Sequence, residues 1–279
     1  MLKYELLPEQ LIYEGTCTSD NFFEPETPND DHILRVHTKS YFEDLNNLTL
    51  NKRAERKLGF PLSQELVQRE VIIADGTIKA SEFAIKNNIA MNIAGGTHHA
   101  YSDRGEAFCL LNDQAIGARY LQEKKIAEKI LIVDLDVHQG NGTAEIFAND
   151  PTVFTFSMHG KGNYPFKKEK SDLDIALENN TDDETYLNLL YQTLPKLIAQ
   201  ERPDFIFYLC GVDVVASDKL GKLGMTVEGC KQRDKYVLET CKSEKIPVMC
   251  SMGGGYSPDI KIIIESHANT FRLAQDIFF

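Results

Sequence analysis

The sequence predicts an α/β fold in three layers, in which helices cover both faces of one doubly wound parallel sheet. Short apolar runs without alternation indicate strands that are buried on both faces. Five such runs occur, at residues 89–94, 130–133, 153–157, 205–210 and 247–251. Helical patterns separate them, which is typical of parallel sheets. No change of composition longer than a loop divides the 279 residues, so we expect a single domain over residues 1–279.

Before the first strand we expect helices and loops. A short helix is predicted at residues 7–12, with Pro8 in its first turn, where a missing N–H is tolerated. A loop rich in Pro, Asn and Asp follows at residues 20–31, and apolar residues at helical spacing predict a helix at 38–48. A longer helix should begin after Ser63, its predicted cap, and end at Asn87-Asn88.

The later connections are also predicted as helices. They cover residues 113–125, a segment that begins with a capping box at 181–184, and residues 226–243 and 259–274. Pro195 should kink or divide the second of these. The polar, Lys-rich residues 160–180 are expected to form a surface loop.

Composition and charge limit the classes of partner. The formal net charge of −12 at pH 7 disfavours nucleic acid, because phosphate binding needs a basic face. No apolar run approaches the roughly 18 residues of a membrane span, and the first ten residues lack a signal-peptide core. We therefore expect no membrane partner and a cytoplasmic location. The six cysteines are dispersed without a CxxC pair, which argues against a disulfide framework or a Cys-rich zinc site.

The most unusual stretch follows the second apolar run. Asp134, Asp136 and His138 occur at intervals of two, so they project to the same side of an extended chain. Unpaired charge beside a core costs on the order of several kcal/mol. A divalent cation would relieve that cost, and oxygen with nitrogen ligands suits zinc. Taken alone, the pattern also fits a strand end with solvated carboxylates.

Polar clusters follow three other strands at the same structural position. His98 and His99 follow the first run, Asp213 follows the fourth, and Tyr256 follows the fifth. The carboxyl ends of parallel strands lie at one edge of the sheet, where ligands bind. We therefore expect all four segments to meet in one site.

These residue types suit metal-assisted hydrolysis of an amide. Asp136, His138 and Asp213 supply three ligands and leave one position open, as catalytic zinc requires, and the metal activates water and polarises a carbonyl. The adjacent histidines can serve as general base and general acid. Tyr256 can donate its hydroxyl to a developing oxyanion, and Asp134 can hold the tautomer of one histidine.

These motifs resemble those of the zinc-dependent histone deacetylase family, which has the arginase–deacetylase fold, and are most similar to its class IV branch and bacterial relatives. The resemblance covers about residues 30–260. The matching runs are Gly95-Gly96-Thr97-His98-His99, Ser102-Asp103-Arg104-Gly105, Phe108-Cys109, Asn112-Asp113, residues 134–142, Gly211-Val212-Asp213, Asp218-Lys219-Leu220-Gly221 and Gly253-Gly254-Gly255-Tyr256.

The resemblance implies specific roles for these residues. The three ligands would hold Zn²⁺, with Fe²⁺ as the alternative ion. His99 would act as general base and acid, His98 as its electrostatic companion oriented by Asp134, and Tyr256 would stabilise the oxyanion.

The resemblance also implies a substrate channel and structural cations. Three residues would form an acyl-lysine channel: Phe108 and Tyr164 as walls, and Leu220 at the rim. A structural K⁺ would bind near the strand end at residues 134–138, mainly through backbone carbonyls, together with Ser157 and Met158. A second such site is placed at Phe147 and Val153.

Two departures from the family pattern carry expectations of their own. Asn141 stands where class I members have an aspartate behind the second histidine. A neutral amide stabilises imidazolium less than a carboxylate does, so His99 should be the easier histidine to deprotonate. Family members usually begin with a strand and a His/Pro-containing turn, whereas here Met1 opens almost at the helix. We therefore expect the first strand to be missing, one sheet edge to be bare and part of the pocket wall to be lost.

The expected activity is removal of an acetyl or longer acyl group from the ε-amine of a lysine in a protein or peptide. Deacetylation of small amines such as acetylpolyamines by the same site is the alternative within the same chemistry. An arginase-like binuclear hydrolase is disfavoured, because only one full ligand set is present. A catalytically silent acyl-lysine-binding or metal-binding module is the alternative from another class. The sequence indicates neither the oligomeric state nor the physiological substrate.

Overall fold

The computed structural model describes residues 2–279, and its strands form one six-stranded sheet in which every neighbouring pair is parallel. In chain order the strands are β1 (Ile89–Asn92), β2 (Ile130–Asp134), β3 (Val153–Gly160), β4 (Leu173–Leu177), β5 (Phe205–Leu209) and β6 (Val248–Ser251). Their order across the sheet is β1-β6-β5-β2-β3-β4. The predicted doubly wound parallel sheet is confirmed, with β1 and β4 at its edges.

Helices connect the strands and precede the first of them. They are α1 (Lys3–Tyr13), α2 (Asp30–Leu34), α3 (Lys39–Asn46), α4 (Lys52–Leu58), α5 (Gln64–Asn87), α6 (Asp113–Glu123), α7 (Asn141–Ile146), α8 (Asp183–Glu201), α9 (Val227–Glu244) and α10 (Ile260–Phe278). Ser63 caps α5 as predicted, by accepting a hydrogen bond from the backbone of Leu66. Within residues 2–279, no helix has the length and apolar character needed to cross a membrane.

The structure contradicts the expectation for Pro8 and the division expected at Pro195. Pro8 lies inside α1, which begins four residues before the predicted helix, at Lys3. Pro195 does not divide α8, which is continuous from Asp183 and is capped by Asp182, one residue after the predicted cap position. Both helices bury apolar side chains, and tertiary packing of an amphipathic face outweighs local propensity.

The predicted surface loop at residues 160–180 contains a strand, β4. Its side chains are half-buried or exposed except for Leu177, and its residues Asp174 and Ala176 are exposed. It lies at the sheet edge, where charged and solvent-facing side chains are common, so it lacks the apolar run of a central strand. Its partner β3 is correspondingly longer than predicted, because Met158 and the two residues after it pair with β4.

The sheet separates two hydrophobic cores, and each central strand supplies alternate residues to both. Leu131 and Val133 of β2 pack against α8, α9 and α10. Ile130 and Ile132 pack on the other face, against α5 and α6. Burial on both faces is the physical reason that the central strands are continuously apolar.

The strand register brings the functional segments to one level. Asn92 pairs with Ser251, Ser251 with Leu209, and Leu209 with Asp134. The chain therefore leaves the sheet at neighbouring points after β1, β6, β5 and β2. Each of the four polar clusters begins within a few residues of this row.

Candidate metal centre and active site

The segments that leave the sheet edge surround one cavity of about 1010 Å³. All the predicted metal ligands line it, as do both histidines of the adjacent pair and Tyr256. The first turn of α1 also contributes to its wall through Lys3 and Tyr4. The sequence had indicated no role for α1 in this site. It had predicted only that part of the pocket wall would be lost with the family's first strand.

Three of these side chains converge as a set of metal ligands. Asp136, His138 and Asp213 are buried, and each offers one ligand atom within 4.8 Å of the others. Nδ1 of His138 lies 3.0 Å from Oδ1 of Asp136 and 3.2 Å from Oδ2 of Asp213. Within residues 2–279 this Oδ2 atom has no hydrogen-bond partner of good geometry. A buried carboxylate oxygen with no donor fits a cation ligand.

Backbone groups fix the two carboxylates. Val137 donates its N–H to Oδ1 of Asp213 at 3.0 Å, and Gly254 donates to Oδ2 of Asp136 at 2.9 Å. A side chain at Gly254 would collide with the carboxylate of Asp213. The glycine loop is therefore required for the close approach of the β6 segment to the ligands.

The ligand set has strongly shifted pKa values. Burial and the neighbouring Asp136 raise the pKa of Asp213 to about 6. Burial alone would lower the pKa of His138, but its hydrogen bond to Asp136 and its close contact with the carboxylate of Asp213 raise it to about 10. The charged His138 in turn lowers the pKa of Asp136 well below its usual range, against the effect of burial. Without a cation, the site therefore retains a proton that a metal ion can displace.

The two adjacent histidines are held by different partners. Nδ1 of His98 lies 2.6 Å from Oδ2 of Asp134, and Nδ1 of His99 lies 2.6 Å from Oδ1 of Asn141. The two ring centroids are 4.1 Å apart. These contacts agree with the geometry expected for Asp134 and Asn141.

The pKa values of the two histidines are shifted in opposite directions. Burial alone would lower the pKa of His98, but the carboxylate of Asp134 raises it. Burial lowers the pKa of His99 well below its usual value, and the charges of His98 and His138 add to this effect. Because an amide oxygen can only accept a hydrogen bond, His99 carries its proton on Nδ1, which leaves Nε2 without a proton.

A carboxylate behind the loop anchors the histidine pair. Oδ1 of Asp113 accepts the backbone N–H of Gly96 at 2.9 Å and of Thr97 at 2.8 Å. Gly96 has a φ of +78°, and a Cβ there would collide with the backbone of Gly253. Glycine is needed at this point because the β1 and β6 segments meet backbone to backbone.

Sequence reasoning missed two residues behind Asn141. Nδ2 of Asn141 donates to the hydroxyl of Tyr101 at 2.9 Å, and that hydroxyl donates to Oε1 of Glu169 at 3.3 Å. The chain of donors sets the orientation of the amide, so its oxygen faces His99. A buried tyrosine hydroxyl requires a partner, which was the available signal for Tyr101, whereas nothing local indicated Glu169.

Sequence reasoning also missed a fully buried cation behind the metal ligands. Arg233 of α9 pairs with Asp234 and donates from one guanidinium nitrogen to the carbonyl of Leu135 at 3.0 Å and of Gly211 at 2.7 Å. It therefore joins the two segments that carry the ligands. The available signal was its position on the helix face shared by Cys230 and Val237, which are buried.

The predicted channel residues line the mouth of the cavity. Phe108, Tyr164 and Leu220 all belong to its wall. The ring of Tyr164 meets that of His99 edge to face at 5.0 Å, and its hydroxyl donates to Glu106 at 2.7 Å. Sequence reasoning had not singled out Glu106.

Tyr256 follows β6 on the glycine loop. Its backbone N–H donates to Oδ2 of Asp218 at 2.6 Å, which fixes the turn. Burial raises the pKa of its phenol, and the carboxylates of Asp213 and Asp136 raise it further. The hydroxyl is therefore protonated at neutral pH.

The predicted monovalent-cation sites stay predictions. Ser157 pairs with Asp134 in the sheet, its Oγ lies 3.0 Å from Nδ1 of His159, and Met158 is buried beside it on β3. Phe147 and Val153 lie in the core between the sheet and α5 and α6.

Comparison with known proteins identifies relatives along nearly the whole chain. The family model described as the histone deacetylase domain matches residues 2–271. An uncharacterized protein of Picosynechococcus is 43% identical over 278 residues, which cover 100% of this chain and 93% of that protein. Histone deacetylase 2 of Arabidopsis thaliana is 27% identical over 272 residues, which cover 94% of this chain and 70% of that protein.

A further relative and a solved structure agree with these matches. Acetoin utilization protein AcuC of Staphylococcus aureus is 27% identical over 282 residues, which cover 92% of this chain and 72% of that protein. The crystal structure of an HDAC homolog complexed with SAHA is 23% identical, with a TM-score of 0.82, and covers 97% of this chain and 76% of that chain. This likeness confirms the predicted fold.

Proposed function

The chain belongs to the histone deacetylase family, and on that premise we propose that it is a zinc-dependent hydrolase that removes an acyl group from the ε-amine of a lysine in a protein or peptide. The observation that carries the proposal is that one cavity contains both a set of metal ligands and a neutral histidine. A buried carboxylate–imidazole ligand set lies beside a histidine whose pKa is lowered. Metal-assisted hydrolysis of an amide requires both.

Asp136, His138 and Asp213 would hold the ion, which supplies Lewis acidity when bound, polarising the scissile carbonyl and lowering the pKa of water. Two carboxylates and one imidazole suit zinc, and they leave a coordination position open. Fe²⁺ would fit the same donors, so the ion is assigned by metal analysis of the purified protein.

The chain's own residues supply the proton transfers. His99 accepts the proton of the attacking water at Nε2, because its Nδ1 is engaged by Asn141. The charged His98 keeps His99 neutral before the attack, since two adjacent imidazolium ions repel each other. The protonated His99 then donates to the nitrogen of the departing lysine.

Tyr256 would stabilise the negative charge that develops on the carbonyl oxygen. Its raised pKa keeps the hydroxyl as a hydrogen-bond donor. Phe108 and Tyr164 would flank the aliphatic part of the lysine, and Leu220 would contact it at the rim. These apolar and aromatic walls fit the four methylene groups of a lysine side chain.

Deacylation of lysine peptides with a series of acyl lengths tests the proposal. We expect turnover with Zn²⁺, loss of turnover with a chelator, and recovery when Zn²⁺ is restored. Tyr256→Phe should reduce kcat by about 10²–10³-fold with metal content unchanged. Tyr13→Phe, at an exposed position in α1, is the matched control and should be fully active.

His99→Ala and His138→Ala should also abolish turnover, the second together with loss of the metal. Normal turnover by Tyr256→Phe would refute the role given to this tyrosine. A chain that binds zinc and hydrolyses no peptide would instead be a silent binding module. Faster hydrolysis of acetylpolyamines than of acyl-lysine peptides would make the protein a small-amine deacetylase.

A further inference from the structure

Basic side chains surround the mouth of the cavity in a protein with a net charge of −12. Four exposed residues, which we call the basic mouth, line the same cavity as the metal ligands: Arg56, Lys57, Lys219 and Lys222. The first two lie on α4, and the other two lie in the segment between β5 and α9. Two regions distant in the chain therefore contribute positive charge to one opening.

Most of this charge is not neutralised within the protein. Lys57 pairs with Glu106 at 2.6 Å. Among residues 2–279, Arg56 and Lys222 donate only to backbone carbonyls, at 3.1 Å and 2.8 Å. In the part of the chain that the structure describes, no carboxylate lies at salt-bridge distance from these two residues or from Lys219. At least three cations are thus available to a ligand.

The carboxylates of the cavity wall lie deeper and are already engaged. Glu70 is buried beside Arg69, at 3.1 Å. The others are the metal ligands Asp136 and Asp213, whose charge a divalent ion would balance. Charges farther than about 8 Å are largely screened at physiological salt. A group seated at the opening would therefore respond to the basic mouth rather than to the acidic surface of the whole chain.

Apolar rings lie among these cations. Phe108 contacts Phe60, with ring centroids 4.9 Å apart, and Phe166 is 90% exposed. All three line the opening. A surface that combines exposed rings with unpaired cations fits a peptide better than a small polycation.

From this arrangement we propose that the preferred substrates are peptides in which acidic residues flank the acyl-lysine. The inference rests on the proposed function and names its substrate class. The acyl-lysine enters the channel, and neighbouring Asp or Glu side chains meet the cations at the opening. An acetylpolyamine carries free ammonium groups to the same place, where like charge disfavours it.

Three acetyl-lysine peptides of equal length test this proposal. Their two flanking positions on each side are Asp, Gln or Lys, and kcat/KM is measured at low and high salt. We expect the acidic peptide to exceed the basic one by about tenfold at low salt, mainly through KM, with the ratio approaching one at high salt. Equal rates at low salt, or a preference for the basic peptide, would overturn the proposal.

Charge reversal assigns the effect to the basic mouth. R56E/K219E should invert the order of the acidic and basic peptides. K196E/K235E, which changes exposed residues of α8 and α9 by the same net charge, should preserve it. An unchanged order in R56E/K219E would refute the assignment.

Binding of the same peptides, followed by fluorescence anisotropy, separates this inference from the proposed function. Preferential binding of the acidic peptide without hydrolysis would support the charge preference and refute the enzymatic proposal. Hydrolysis of all three peptides at equal rates would do the reverse.

Discussion

His99 faces an amide where a carboxylate would fit: Oδ1 of Asn141 lies 2.6 Å from its Nδ1. The contact fixes the tautomer without adding negative charge. Burial and two charged neighbours lower the pKa of His99, and Asn141 opposes this less than an aspartate would. These contacts therefore keep His99 neutral.

Asn141→Asp should shift the pH dependence of the reaction. A carboxylate favours the imidazolium form, so the pKa of His99 rises and the neutral base is lost at a higher pH. We expect the acidic limb of the kcat/KM profile to move upward by about one pH unit or more. Asn149→Asp, at an exposed position, is the control. An unchanged limb in Asn141→Asp would show that His99 is not the group whose protonation limits the reaction.

Tyr101→Phe should reduce kcat by removing the acceptor for the amide of Asn141. The buried N–H₂ group is left without that partner at a cost of about 1–3 kcal/mol, and a flipped amide would favour the wrong tautomer of His99. We expect a loss of about tenfold. In the N141D background, Tyr101→Phe should reduce kcat much less, because either oxygen of the introduced carboxylate can accept the hydrogen bond from His99. An equal loss in both backgrounds would mean that Tyr101 acts only through packing.

Metal binding should release protons in a number that depends on pH. At pH 8 the ion displaces the proton of His138, whose pKa is about 10, so about one proton should leave per ion. At pH 5 Asp213 is also protonated, because its pKa is about 6, and about two should leave. Calorimetry in buffers of different ionisation enthalpy measures this number.

Asp213→Asn, titrated with excess Zn²⁺, is the control for this measurement. It should lose the additional proton released at pH 5, because the group that binds this proton is absent. A release that does not change between the two pH values in the unmodified protein would contradict the pKa values of the ligand set.

Arg233→Met should destabilise the fold and weaken metal binding. It leaves Asp234 charged and buried without its partner, at a cost of about 3–5 kcal/mol in the free energy of unfolding. R233M/D234N removes the charge and should recover part of that stability. Both variants lack the hydrogen bonds to Leu135 and Gly211, so both should bind Zn²⁺ less tightly. Urea unfolding and a zinc titration against a competing chelator measure the two effects, and unchanged zinc affinity in the double variant would contradict the role of Arg233.

The central strands and the residues that follow them could be predicted, whereas an edge strand could not. Ile130–Asp134 is apolar on both faces because helices cover both. Leu173–Leu177 has solvent on one side, so its pattern resembles that of a loop. Pro8 lies inside a helix and Pro195 does not divide one for a related reason, since the burial of their helices outweighs the local cost of proline.

By itself, the sequence determined which short segments form the sheet and which polar side chains lie at its carboxyl edge. It did so because strand burial and side-chain alternation are local properties of the backbone. Only the tertiary structure decided that β2 lies beside β5, which brings Asp213 to within 3.2 Å of His138. It alone revealed Arg233 behind the ligands, Glu169 behind the Tyr101 hydroxyl, and the basic mouth. Contacts between segments far apart in the chain depend on how whole elements pack, so a local sequence pattern does not predict them.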